Sequence, residues 1–440
     1  MRTLRVAVTG LRRAGKTVFL TSLINHLLDG SEETLPAFRD EAIAFSAAPL
    51  RRRSEATPFP YLQYLDQLRG DSPSWPARTS DVSEFPLALT VRNLKNHRAR
   101  TVTLELVDYP GERLLDLPLV SMGYEEWSDQ VSEEARVGLR KELSAPWLET
   151  CAQLHPGADD RPAVEHYADY LRDCRREGLG YLQPSALLLE ADAVGQDRFR
   201  FCPLPDDVRR RLPELAREYG VRYGQYLRGY VRPFFRKAAR CSRQIVLVDV
   251  LHILRRGVHS YNDTRRALRR ILDAFGYAEQ RHPLSPLRII DMFQTRVDRM
   301  LFVATKADQC TRATRGNLRY LLEDLVEPKR RELAVGLPNG RPRVTFCAAH
   351  RSTEDAAKEF EGRQLSCLRG RRADRPADRD GPWFPGEIPP AWPDDQWNPE
   401  ESQFIFPDFL PARLPMRDGA TAPHINLDKV FWHTIEDIVP

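Results

Sequence analysis

The residues with the clearest chemical signature are Gly10-Leu11-Arg12-Arg13-Ala14-Gly15-Lys16-Thr17, a G-x-x-x-x-G-K-T run near the N-terminus. Glycines at its first and sixth positions let the backbone turn so that its N–H groups converge on phosphate oxygens. A helix opening at Lys16 adds its own unpaired N–H groups and dipole. Lys16 has the charge and reach for β- and γ-phosphates, and the Thr17 hydroxyl is a hard oxygen donor suited to Mg2+. Gly10, Arg13, Ala14, Gly15, Lys16, Thr17 and Val18 are the candidate phosphate contacts. Asp108-Tyr109-Pro110-Gly111 forms a D-x-x-G, in which Asp108 can hold Mg2+ through water and the Gly111 N–H can meet a γ-phosphate. Thr305-Lys306-Ala307-Asp308 forms a T-K-x-D. The Asp308 carboxylate can accept from guanine N1–H and the exocyclic amine, while adenine would leave it unpaired, and Lys306 can lay its stem over the base. A backbone N–H of Ala348 or Ala349 is placed to meet the base oxygen.

These groups act together only if the fold brings them to one edge, and the flanking sequence supplies the means. Leu4–Thr9, Thr101–Val107, Gln244–Leu251, Met300–Ala304 and Arg343–Phe346 read as buried strands, and Val18–Leu28 as a helix stopped at Asp29-Gly30. Each motif follows a strand, where ligands of open parallel sheets bind. In order and context the three motifs resemble the G1, G3 and G4 elements of the translation-factor class of GTPases. The fold class is therefore α/β, a P-loop NTPase with a Ras-like G domain and a mostly parallel sheet. Asp108 and Asp308 lie 200 positions apart, far more than a minimal domain of this kind needs. Ser132–Leu143, Pro162–Arg176, Pro205–Phe235 and Thr264–Phe275 have helical periodicity. The expected division is a G domain over 1–111 and 241–370, an all-helical insertion over 112–240, and a Pro/Trp-rich C-terminal segment over 371–440 that packs on the body and ends in a short helix. Twelve of the 34 prolines and four of the seven tryptophans follow Ala373, so long helices are not expected there.

Composition narrows the partners. The 440 residues carry a formal charge of only +4, which offers no overall polycation to nucleic acid, and no specific nucleic-acid partner is expected. Between Arg209 and Arg270, 17 basic residues face four acidic ones, and Tyr219, Tyr223, Tyr226 and Tyr230 share one helical face. The favoured reading is a tyrosine stripe in a helical core with solvated arginines; the alternative is a surface for anionic lipid and peripheral membrane association. Seven scattered cysteines without a C-x-x-C pair argue against a disulfide framework or zinc site. With no apolar run near 18 residues and no signal-peptide core, a cytoplasmic protein is expected.

The stretches GLRRAGKTVFLTSLINHLL, WPARTSDVSEF (75–85), LVDYPGERLLDLPL (106–119), RQIVLVDVLHIL (243–254), ATKAD, FPGEIPP (384–390) and INLDKV (425–430) together resemble the YcjX-like family of bacterial GTP-binding stress proteins. The final helix departs from that pattern by lacking a glycine-containing ending. The resemblance implies GTP and GDP as ligands, Mg2+ as cofactor, an unidentified protein effector and a role in envelope or phage-shock stress. It makes Thr79 the switch threonine that would ligate Mg2+ when a γ-phosphate is present, with Thr57 and Thr90 as rivals, and Arg78 a candidate arginine finger. Glu112 stands where Ras-like proteins carry a water-orienting Gln, so slow turnover is expected. Three functions follow: a slow GTP-hydrolysing switch, a GTP-binding scaffold without appreciable hydrolysis, and a P-loop ATPase, which Asp308 argues against.

Overall fold

The computed structural model describes residues 2–51, 57–77, 81–190, 192–238, 241–274, 297–337, 340–374, 381–394, 397, 404–417 and 419–440. Two compact units partition the chain. One takes Met1–Pro110, Arg240–Gly257 and Arg296–Pro440; the other takes Gly111–Ala239 and Val258–Thr295.

The first unit is built on one sheet. Its strands are β1 (Thr3–Gly10), β2 (Ile43–Pro49), β3 (Thr57–Pro58), β4 (Ser83–Asn93), β5 (Ala99–Asp108), β6 (Arg243–Val248), β7 (Arg299–Ala304) and β8 (Arg343–Phe346). They run in the order β2-β4-β5-β1-β6-β7-β8, with β3 alongside β4. β5, β1, β6, β7 and β8 are mutually parallel. β4 runs antiparallel to both β5 and β2. The continuous apolar character of β1, β6 and β7 is what a parallel strand covered on both faces requires. Register then decides where the motifs emerge: Val8 pairs with Asp108, Gly10 with Leu247, Val248 with Ala304, and Ala304 with Phe346. All the motif-bearing strands thus end at one level. A hairpin of β9 (Glu354–Phe360) and β10 (Arg363–Arg369) stands apart from this sheet.

Helix α1 (Lys16–Asp29) packs Phe19, Leu20, Leu23, Ile24 and Leu27 into a core shared with β1, β4 and β5. The terminal helix Leu427–Ile435 adds Leu427, Val430, Phe431 and Ile435 to the same core. It is pinned at the amino end of β6, where the guanidinium of Arg243, 1% exposed, lies 2.6 Å from both Asp298 and Asp437.

The second unit is helical around an aromatic core of Trp127, Trp147, Tyr167, Tyr170, Phe199, Phe201, Tyr219, Tyr223 and Tyr226. The tyrosine stripe lies inside it, with Tyr230 partly buried against it. Several elements differ from expectation. The strand expected over Gln244–Leu251 stops at Val248, and Val250 already opens a helix that runs to Ala274 with a break at Gly257 (φ 80°). The helix expected over 132–143 is two pieces, Tyr124–Glu134 and Gly138–Leu143, because Gly138 takes φ 53°. The one expected over 205–235 divides into Asp206–Arg211, Pro213–Tyr226, a π-helical turn Leu227–Val231, and Arg232–Ala238, the first division falling at Pro213. The helical unit also takes in residues after β6, which the sequence reading had assigned to the sheet unit.

Candidate functional site

The loop between β1 and α1 is shaped by two glycines for different reasons. Gly10 has φ 142°, and a Cβ there would sit 2.3 Å from the Leu247 carbonyl oxygen, so β6 approaches too closely for any side chain. Gly15 has φ 82° and ψ 22°, with open space where a Cβ would be; here the left-handed backbone itself demands glycine. Arg13 is also left-handed, at φ 65°. Lys16 folds back so that Nζ donates to the carbonyls of Gly10 (2.9 Å) and Leu11 (3.0 Å), which anchors the ammonium over the mouth of the loop. Ala14 is buried, and the Gly15 carbonyl accepts from Phe19 N to start the helical ladder beyond Val18.

At the end of β5, the Asp108 carboxylate is fully buried, and its Oδ2 lies 3.4 Å from Thr17 Oγ1. A hydroxyl and a carboxylate this close form the hard-oxygen donor set that suits Mg2+. Thr17 and Asp108 are the residues of this unit that would hold such an ion. Among the described residues no cluster of three or more His, Cys, Asp or Glu side chains with metal-binding geometry occurs; a site of this kind would rely on phosphate and water for the rest.

The T-K-x-D lies beyond β7. Thr305 N donates to Val248 O (2.9 Å), tying the loop to the end of β6. Lys306 is left-handed at φ 60°, and its Nζ lies 2.7 Å from Asp249 and 3.7 Å from Asp408. Burial alone would lower the Lys306 ammonium, but these two carboxylates outweigh it and raise its pKa. Burial pushes Asp249 the other way, and Lys306 and His252 bring it below the ordinary carboxylate value. Asp308 is 5% exposed; its Oδ2 accepts from Ser352 N at 2.8 Å and its carbonyl accepts from Thr353 Oγ1. Burial raises its pKa, opposed by the Ser352 amide. The Ala348 N–H is committed to Ile425 O at 2.9 Å, which leaves Ala349 as the candidate of the two for a base oxygen.

Gly111 and Glu112 belong to the second unit, where Gly111–Leu114 forms one helical turn. The next residue, Arg113, is held inside that unit: its guanidinium lies over Tyr230 (4.5 Å to the ring centre) and 3.5 Å from Glu190. Arg78 and Thr79 lie outside the described residues. Of the rival threonines, Thr57 is exposed on β3, and Thr90 on β4 hydrogen-bonds Thr101 across the sheet at 2.9 Å, away from the motif-bearing edge. Sequence reasoning missed Asp249, Ser352 and Asp408. A signal existed for Asp249, since a carboxylate directly after an all-apolar parallel strand stands at the ligand edge; none existed for Asp408, in the proline-rich segment.

A mostly parallel sheet with these loops along its carboxyl edge defines a mixed α/β protein whose fold fits a Ras-like GTPase. More narrowly, residues 4–439 match the model of the YcjX-like family, DUF463, and the chain belongs to that family. It is 33% identical to the "Ras-like GTPase YcjX" of Escherichia coli K12, over 99% of this chain and 96% of the relative. The protein of the same name from Shewanella oneidensis MR-1 is 29% identical, over 99% and 94%. No helix among the described residues is long and apolar enough to cross a membrane.

Proposed function

We propose that this chain binds guanine nucleotides with Mg2+, hydrolyses GTP slowly to GDP and phosphate, and acts as a nucleotide-dependent switch for a protein effector. The observation carrying this reading is the placement of Thr17 Oγ1 3.4 Å from the buried Asp108 carboxylate, beside a loop whose Lys16 is already turned across its mouth. The N–H groups from Arg13 to Val18 cradle phosphate, and Lys16 exchanges its carbonyl partners for phosphate oxygens. Thr17 and Asp108 would hold the ion, which would supply neutralisation of the charge on the phosphates. Asp308 and Thr305–Lys306 recognise the base, with the Ala349 amide at its oxygen. Gly111 and Glu112 keep the roles their motif implies, Gly111 at the γ-phosphate and Glu112 orienting water; Thr79 and Arg78 complete the set as switch threonine and arginine finger. The name carried by both relatives supports the guanine nucleotide and the hydrolysis. A place in a stress response rests on family resemblance alone.

A second reading, a GTP-binding scaffold that needs an outside activator, is favoured by one feature, the carboxylate of Glu112 where Gln is usual. Affinity for GTP, GDP and ATP, followed by single-turnover cleavage on wild type, Lys16→Ala and Glu112→Ala, separates the two. GTP bound over ATP and cleaved by wild type but not by Lys16→Ala supports the switch. Tight binding without cleavage above buffer supports the scaffold. Equal affinity for ATP overturns the guanine assignment.

A further inference from the structure

We infer that Asp249 and Asp408 are positioning residues for the base-recognition lysine, and that the Phe404–Leu410 stretch is therefore one wall of the nucleotide site. The inference rests on the guanine reading above. Lys306 holds a left-handed backbone, a conformation that L side chains keep only where the surroundings impose it. What imposes it is visible. The Thr305 amide is tied to Val248, the last residue of β6, and the next residue, Asp249, meets the Lys306 ammonium at 2.7 Å with 8% of its side chain exposed. Asp249 is itself fixed by the His252 amide at 3.0 Å. Asp408 reaches the same ammonium at 3.7 Å from the far end of the chain and lies 3.8 Å from Arg255.

The stretch that carries Asp408 is anchored along its length. Phe406 O accepts from Arg255 (3.1 Å), Phe409 O from the Trp75 indole (2.8 Å), and Asp408 O from Ala373 N (2.8 Å). Phe404, Phe406 and Phe409 are buried. Asp249, Asp408, Lys306 and Arg255 thus form a charge-balanced set. With its ammonium held between two carboxylates, the four-carbon stem of Lys306 becomes a fixed apolar strip, and a fixed strip covers a base at less entropic cost than a mobile lysine. Removing either carboxylate frees the stem and shortens the lifetime of the bound nucleotide.

The test is release of a fluorescent GDP analogue from the full chain, measured by stopped flow for wild type, Asp408→Asn, Asp249→Asn, Lys306→Ala and the Asp249→Asn/Lys306→Ala double variant. Asp408→Asn should release GDP about 3- to 10-fold faster and Asp249→Asn about 10-fold or more, and the double variant should release no faster than Lys306→Ala alone, because both act through one side chain. Hydrogen exchange should also show GDP protecting the amides of 404–410 in wild type and less so in Asp408→Asn, a readout that a purely structural role would not move. Asp408 is nearly half exposed, so its variant keeps the test open should Asp249→Asn fail to fold. Multiplying effects in the double variant, or release from Asp408→Asn at the wild-type rate, would overturn the inference while leaving the guanine reading intact. A wild type that does not prefer GDP to ADP would instead remove the reading on which it rests.

Discussion

Arg243 offers the sharpest test of how the sheet unit is held together. Its side chain is 1% exposed at the first position of β6, with Nη1 and Nη2 each 2.6 Å from a carboxylate, Asp298 and Asp437. It also donates to the Thr434 carbonyl at 3.3 Å and to the Ser242 carbonyl at 3.1 Å. Replacing it with Met leaves an apolar chain of similar length and takes one donor from each of the four acceptors, of which the Ser242 carbonyl keeps the Asp298 amide at 2.8 Å. Breaking a buried ion pair from one side costs ~3–5 kcal/mol. The carboxylates of Asp298 and Asp437 keep 29% and 23% of their surface in water, and Asp437 retains Arg299 at 3.2 Å, so the lower end applies. We expect Arg243→Met to cost ~3 kcal/mol, with the loss concentrated on the terminal helix. Urea unfolding gives the total. Native-state hydrogen exchange gives the location: amides of Leu427–Ile435 should lose roughly two orders of magnitude of protection. Adding Asp298→Asn and Asp437→Asn to Arg243→Met should recover part of the loss, since neutral amides tolerate a missing cation. A cost below about 1 kcal/mol, or a loss spread evenly over the sheet, would refute the reasoning.

Three further outcomes are expected. Gly10→Ala should destabilise the sheet unit by ~3 kcal/mol or more in urea, because its Cβ meets Leu247 O at 2.3 Å, whereas Gly15→Ala should cost only ~1–2 kcal/mol of backbone strain. Burial, aided by the neighbouring His424, holds His26 neutral and lowers its pKa from 6.5 to about 4, so the stability it contributes is present above pH 6.5 and lost as pH falls toward 4. The loss is on the order of 3 kcal/mol, readable as acid unfolding alongside an NMR titration of the His26 ring. In the helical unit, burial raises Asp116 to about 6 despite donors from Ser185 and Tyr226. Its ionised form weakens that unit as pH rises from 3.8 through 6, so Tyr226→Phe, which removes a 2.6 Å donor, should cost ~1.5–3 kcal/mol at pH 8 and less at pH 5.

The parts of this fold that the sequence announced are those where one local rule acts alone. β8 falls on Arg343–Phe346 as expected, and β1, β5 and β7 extend the expected strands by one to three residues, because an uninterrupted apolar run at a motif has few other conformations. β6 shows the limit: Val250 and Leu251 are as apolar as the strand before them, and only Asp249 accepting the His252 amide marks the turn into helix. β4 and β2 went unread, since Pro86 interrupts the alternation of β4 and the sheet supplies what propensity does not. The β9–β10 hairpin was hidden because most of its residues face solvent; its one local mark is Glu361-Gly362, both with positive φ as a two-residue turn requires. At the site, Lys16, Thr17 and Asp108 were legible from spacing. The partners of Lys306 and Asp308, namely Asp249, Asp408 and Ser352, were not, because contacts 44 to 102 positions apart leave no periodic trace.

The division of the sheet unit among three separated stretches of chain has a consequence for its birth on the ribosome. β1 sits between β5 and β6, and about 135 residues, most of them in the helical unit, are translated between the end of one neighbour and the start of the other. At roughly 5–20 residues per second, β1 waits some 7–27 seconds with one edge unpaired, and the terminal helix that completes its core emerges later still. The helical unit has most of its own core in hand during that interval. The nascent chain therefore passes through a stage in which the half carrying β1 is an open, apolar-edged sheet tethered to a largely assembled helical body, and that stage is where a holdase chaperone would meet it.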